Sequence, residues 1–288
     1  MKNTILGFII FVFIGNFILT KSQCSDAGVC SIGGHVIDKE SKNLFNISAS
    51  YKFGSSGKED DVKYHSFQVG AVYNVLEKTS LQLSIPYNIQ SGPLGEVNGV
   101  GDLLISVTQN LFSNEKSSLR ASIGTKLATG DDNKDNLPMA YQSGLGTNDF
   151  IFAVNYLYDN IGLGVGYQLA VGRNENIIKL KRGDDLLFQA SYSFLFDKFS
   201  ITPQLLFIKR LSKSNKLIVE AMAPMGVYID VANSDQSQAN LLTNVQYQIN
   251  SSYYVFADFA IPFIKREINV DGLTRTFSAS VGVMLNIN

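Results

Sequence analysis

The side chains of this 288-residue chain that could do chemistry are few and scattered. Its thiols are Cys24 and Cys30, in the segment Cys-Ser-Asp-Ala-Gly-Val-Cys, and its imidazoles are His35 and His65. In an exported chain the two thiols meet an oxidising compartment, so a small Cys24–Cys30 disulfide loop is expected. The alternative is a soft-metal site in which His35 joins the thiolates around zinc or copper, but the spacing is not a standard zinc pattern and a fourth ligand is missing. His65 shares strand parity with Phe67, and a surface lipase built on it would need a serine within reach and a third group to orient the ring. No serine of that parity stands at that level, so His65 reads as an interfacial aromatic. Asp131-Asp132-Asn133-Lys134-Asp135-Asn136 puts oxygens at alternate positions as a calcium loop does, yet Asn136 stands where that loop needs glycine and Gln142 where it needs a bidentate Glu. It reads as a solvated loop. No catalytic residue, metal or cofactor is expected, and the chain is not read as an enzyme.

The elements that carry these groups are strands. From Asp149 to Val171, Phe150, Phe152, Val154, Tyr156 and Tyr158 alternate with other residues, then Ile161, Leu163, Val165, Tyr167 and Leu169 alternate with Gly162, Gly164, Gly166 and Gln168. Successive side chains of a strand point to opposite faces, so each segment has one apolar face and one of small or amide residues. Asp159-Asn160 between them tolerates the positive φ of a tight hairpin turn. Each segment is about ten residues, the length of a tilted strand crossing a bilayer. A face of glycine, alanine and amide suits a barrel interior better than open water.

This hairpin rhythm recurs from Leu44 onward, with short turns alternating with long polar loops such as Thr129–Thr147, Arg173–Gly183 and Lys265–Gly272. The expected fold is all-β: a transmembrane antiparallel up-and-down β-barrel of about twelve strands, fourteen if residues 210–239 also cross. That stretch, with two apolar pieces around Pro224 and Gly226, otherwise reads as an extracellular excursion forming a small hairpin above the membrane. Upstream, Lys2 precedes an apolar run from Ile5 to Leu19, a secretory signal with cleavage after Ser22. The expected organisation is a signal peptide over 1–22, a periplasmic tail over 23–43 and an outer-membrane barrel over 44–288. Charged residues make up 17% and the formal net charge is -1, which gives no electrostatic case for nucleic acid. Ser280, Gly282, Leu285 and Ile287 look like the terminal signal read by the barrel assembly machinery, although Asn288 replaces the usual final aromatic.

Three short motifs carry a resemblance. Gly99-Val100-Gly101-Asp102 opens a strand, Lys126-Leu127-Ala128-Thr129-Gly130-Asp131 closes the next, and Gly144-Leu145-Gly146-Thr147-Asn148-Asp149 opens the one after. This resembles the outer-membrane transporter-like family named for the meta pathway of phenol degradation, which has Pro where Ala128 stands. The resemblance implies passage of small, aromatic or otherwise apolar solutes, and it supplies no catalytic residue.

By parity Arg120, Lys126 and Asp258 point inward among Ser, Thr, Asn, Gln and Gly, as do the apolar Leu187, Leu206, Ile208, Leu242 and Phe256. They either fill the lumen of a modest barrel or line a partly apolar path. Asp102, Lys126 and Asp149 fall together at the outer rim, where two carboxylates around one ammonium would leave a net negative entrance favouring cations. The leading expectation is a channel or uptake barrel in the bacterial outer membrane; the other is a structural or surface-interaction barrel whose long loops bind a partner.

Overall fold

A β-strand cannot leave its edge amides bare in lipid, so alternating segments of this length must close on themselves. The structure, a computed structural model, describes residues 44–57, 61–220, 223–268, 270–272 and 275–287. The expected signal peptide, the tail, Cys24, Cys30 and His35 lie outside the described residues. The strands are β1 (Phe45–Ser55), β2 (Lys63–Leu76), β3 (Thr79–Gly92), β4 (Gly95–Val100), β5 (Leu103–Ser113), β6 (Ser117–Leu127), β7 (Asn148–Tyr158) and β8 (Ile161–Val171). They continue as β9 (Asp185–Tyr192), β10 (Phe194–Leu195), β11 (Phe199–Arg210), β12 (Asn215–Glu220), β13 (Ala223–Asp230), β14 (Ser237–Gln248), β15 (Tyr253–Ile264) and β16 (Phe277–Ile287).

Consecutive spanning strands pair antiparallel, and β1 pairs with β16 from Phe45↔Ile287 to Ser55↔Phe277, which closes the ring. Twelve strands make the barrel. In it β4 continues β5 above a kink at Gly101-Asp102, and β10 continues β9 beyond Ser193. The β9–β10 break lies opposite Pro203, at the step between Ser191↔Gln204 and Phe194↔Ile201, where a proline has no N–H to give the ladder.

Residues 210–239 do not add two crossings. β12 and β13 pair with each other as a separate two-stranded sheet, the small hairpin beyond the barrel. At the same end β3 runs on to Gly92 and turns back as β4, paired from Gly92↔Gly95 to Tyr87↔Val100, so residues 91–100 extend the ladder instead of forming an open loop.

The two faces sort as the alternation requires. Phe150, Phe152, Val154, Tyr156, Leu163 and Val165 are exposed on the outer wall, while Ile151 and Ala153 of the same strand are buried in the lumen. Phe152 sits mid-strand between Ile123 and Tyr167 in the ladder. Phe152→Arg is therefore expected to destabilise the barrel by about 2–4 kcal/mol in lipid. Denaturant unfolding from liposomes measures this, and an unchanged midpoint would remove Phe152 from the lipid-facing band.

The two ends differ. At one end the turns are tight, at 77–78, 114–116, 159–160, 196–198 and 249–252, and both termini of the ring lie there. The other end carries the long connections 128–147, 172–184, 211–236 and 265–276.

Candidate functional site

The lumen is the site, and at the long-loop end it is filled in three layers. The outermost is the connection 128–147, which folds across the mouth instead of standing in solvent. Its residues Met139 to Leu145 are buried. Tyr141 and Ala140 pack with Val62, Tyr64 and Val97 on the β2–β4 side. Met139 and Leu145 pack with Ile178 of the β8–β9 connection on the other side. Polar bonds fasten the same span: the Tyr141 hydroxyl accepts the Leu94 amide at 3.2 Å, and Asn176 Nδ2 donates to Asp132 O at 2.8 Å. The chain can cross itself tightly here only because Gly130 and Gly144 lack side chains. A Cβ on Gly144 would come within 2.7 Å of the Gly130 Cα and 2.5 Å of Asp102 Oδ1.

Beneath this roof lies an ionic layer. Asp149 Oδ2 takes an ion pair from Arg182, the Gln168 amide at 2.5 Å and Lys126 Nζ at 3.1 Å, while its Oδ1 accepts the Thr147 hydroxyl at 3.2 Å. Arg210 grips Asp185 in a fork, Nε and Nη2 each at 3.1 Å, and reaches Asp271 at 3.4 Å. Arg266 donates to Asp185 at 2.8 Å and to the Gln236 carbonyl at 3.1 Å. Arg182 links the two halves through Asp271 at 3.9 Å. All seven ionic side chains are buried, from Asp149 at 0% exposed to Asp271 at 5%. Charges so buried stay ionised only in company. Burial would lower the Arg182 guanidinium, but Asp149 and Asp271 outweigh it and hold it above its ordinary value. For Arg266 burial wins and the net displacement is downward.

Under the ionic layer is an apolar one. Leu104, Ile151, Ala153, Leu187, Leu206 and Ile208 form one buried cluster, and Leu242 packs against it. These residues come from β5, β7, β9, β11 and β14, about half the circumference. Phe256 stands apart, opposite Gly282, whose missing Cβ leaves room for the ring.

Not every residue singled out by parity joins this assembly. Lys126 and Asp149 do. Asp102 serves the roof instead, its carboxylate accepting the Gly130 and Leu145 amides at 3.2 and 2.8 Å. Arg120 lies nearer the tight-turn end, opposite Asn110 and Asn155, and Asp258 accepts Asn244 and Ser280, each at 2.7 Å. The expected rim residues sit within a larger charged set: the buried layer carries Lys126, Arg182, Arg210 and Arg266 against Asp149, Asp185 and Asp271, with the Asp102 carboxylate close enough to feel Lys126 and Asp149. Asp185 and Arg210 were within reach of sequence reasoning, because they continue the inward parity of Leu187 and Ile208 by one step each. Arg182, Arg266 and Asp271 come from long connections, where strand parity says nothing. On the outer wall, His65 Nδ1 hydrogen-bonds the Tyr51 hydroxyl at 2.6 Å in an aromatic patch with Phe67.

The fold has solved counterparts. An outer membrane channel from Pseudomonas putida F1 superposes with a TM-score of 0.63 at 12% identity, covering 87% of this chain and 98% of that one. The NanC porin superposes with a TM-score of 0.52 at 11% identity, covering 84% of this chain and 100% of that one. At such identities the likeness is one of fold. No family model and no curated protein matches the chain, so the meta-pathway resemblance rests on its glycine motifs alone.

Proposed function

We propose that this protein is a bacterial outer-membrane channel for small solutes, shut at its outer mouth in the conformation described. In this reading the chain is exported by a cleaved signal, carries a Cys24–Cys30 disulfide in its tail and is placed in the bilayer by the barrel assembly machinery. The observation that carries the reading is the ionic layer. A lumen that only needed filling would be at least as stable with apolar side chains of the same volume, since buried ion pairs barely offset their own desolvation. Seven charged groups across the path are instead a set of contacts that can exchange partners as the roof and connections move. The apolar layer below supports a solute with an apolar part.

The roof decides the test. Replacing residues 133–142 by a short Gly/Ser linker should raise single-channel conductance several-fold over the full-length refolded protein in planar bilayers. Within the conducting state, Lys126→Glu should shift the reversal potential toward cation selectivity. A roofless variant that migrates as a folded, heat-modifiable barrel and carries no current would sink the channel reading. It would favour the other one, a surface-interaction barrel, for which the hairpin β12–β13 speaks by exposing Val219, Val227 and Tyr228.

A further inference from the structure

Water reaches the inner wall unevenly. Toward the tight-turn end, inward residues stay partly exposed on both sides of the ring, from Ser48 and Gly70 to Asn155, Gln189 and Gln204. Nearer the long loops the wall from β5 to β14 closes. Ser106 and Ser122 are each 2% exposed there, and Ala153, Leu187, Leu206 and Asn240 are buried with them. The inner face of β1 and β2 differs: Ser50, Lys52, Ser66 and Gln68 remain partly exposed. A side chain that meets water inside a closed ring marks space for at least a water molecule. A wet strip therefore climbs β1 and β2 from the tight-turn end toward the mouth.

Lys52 stands near the top of this strip. It is register-paired with the inward Ser280 and Ser66, and no carboxylate of the described residues comes within ion-pair distance of it. Above it Arg275 passes over Gly54, where an added Cβ would lie 3.6 Å from the arginine Cδ, and faces the Tyr64 ring at 4.7 Å. Across Ser280 lies Asp258, whose two oxygens are already engaged: Oδ1 accepts Asn244 and Oδ2 accepts Ser280, each at 2.7 Å. Lys126, by contrast, is held by Asp149.

We infer that the solute route follows the inner face of β1 and β2, and that Lys52 sets its preference, passing small anions ahead of cations. An uncompensated charge on a narrow wet path between low-dielectric walls focuses its field along that path and concentrates the opposite ion there. Arg and Lys select anions in pores by this means. The ionic layer does not supply such a charge, because its cations are committed to Asp149, Asp185 and Asp271. The strip is wet even with the roof in place; only passage from end to end rests on the channel reading.

The test is labelling of single cysteines in the full-length barrel refolded in micelles, with Cys24 and Cys30 replaced by serine. Ser50→Cys and Ser66→Cys should react with the anionic sulfonatoethyl methanethiosulfonate roughly tenfold faster than Ser106→Cys and Ser122→Cys. With Ser66→Cys as reporter, the rate for this reagent is divided by that for its cationic trimethylammonium-ethyl analogue. Lys52→Gln should lower this ratio about threefold or more, and Lys52→Arg should restore it. Because Lys52 anchors nothing among the described residues, both variants should keep heat-modifiable migration. In a conducting roofless variant, Lys52→Gln should also move the reversal potential toward cation selectivity. Equal labelling of the two walls overturns the route. A ratio and a reversal potential that Lys52→Gln leaves unchanged overturn the role of Lys52. If labelling is uniform while the roofless variant conducts, the route is refuted and the channel stands. If labelling depends on wall and on Lys52 as expected while the roofless variant carries no current, the anion-attracting strip stands and the channel reading falls.

Discussion

Asp149→Ala should be the most damaging single substitution in the lumen, lowering stability by about 3–5 kcal/mol, the usual consequence of removing one partner from a buried ionic contact. The expectation follows from how much converges on one carboxylate. Arg182, Gln168 and Lys126 all turn to Oδ2, and Thr147 donates to Oδ1. Asp149 is 0% exposed, so no water stands ready to replace it for its two cations. Removing the side chain leaves Arg182 leaning on Asp271 at 3.9 Å and Lys126 with no carboxylate in contact. The same change should loosen the closure at the mouth, because Thr147 ends the roof and Arg182 belongs to the next connection. Conductance of the variant should therefore rise while its denaturation midpoint falls. A double-mutant cycle sharpens the claim. Adding Arg182→Ala to Asp149→Ala should destabilise by less than the sum of the two single changes, since the second removal takes away a cation that the first had stranded. Additive losses would mean that the pair is not the keystone.

Much of this was legible from the chain because a spanning strand obeys a period of two. Tyr156 and Leu157 must face opposite ways once Phe150, Phe152 and Val154 are placed on lipid, and the structure exposes Tyr156 and buries Leu157. The same rule put Lys126, Asp149, Leu187, Leu206 and Ile208 inward. It failed where the backbone stops being a strand. Arg182, Arg266 and Asp271 have no parity to read, and their approach to Asp149 and Asp185 depends on how three separate connections bend over the mouth. Asp102 shows a second kind of limit, in its bonding and not in its place. Its parity puts it beside Lys126, but Gly130 and Gly144 let the roof pass so close that two backbone amides reach its carboxylate first. Glycine at a crossing is a local signal; which segment crosses there is a global one. The polar content of 128–147 pointed to solvent for a similar reason, since Gln142 satisfies its amide within the loop itself, donating to Leu137 O at 2.8 Å.

Acid should weaken the mouth through Asp271. Burial is the largest influence on this carboxyl and pushes it up, but the guanidiniums of Arg210, Arg182 and Arg266 together outweigh burial and hold it below its ordinary value. In the unfolded chain the same group titrates near pH 3.9. A carboxyl depressed on folding contributes stability that is fully present above its unfolded pKa and is lost as pH falls through its folded one, so the loss belongs below about pH 4. Protonation there would leave Arg182 and Arg210 each short of one carboxylate, with Asp149 and Asp185 to hold them. Asp271→Asn isolates the contribution, because every other titrating group stays in both proteins. At neutral pH the variant should be less stable by about 1.5–3 kcal/mol, the range for hydrogen bonds to a charged group. As pH is lowered through 4 the two unfolding midpoints should converge, since the wild-type carboxyl then becomes as neutral as the amide. Bilayer conductance should follow the same course, with wild type approaching the variant only in acid. A gap in stability that stays constant from pH 7 to pH 3 would show that Asp271 acts by shape and not by charge.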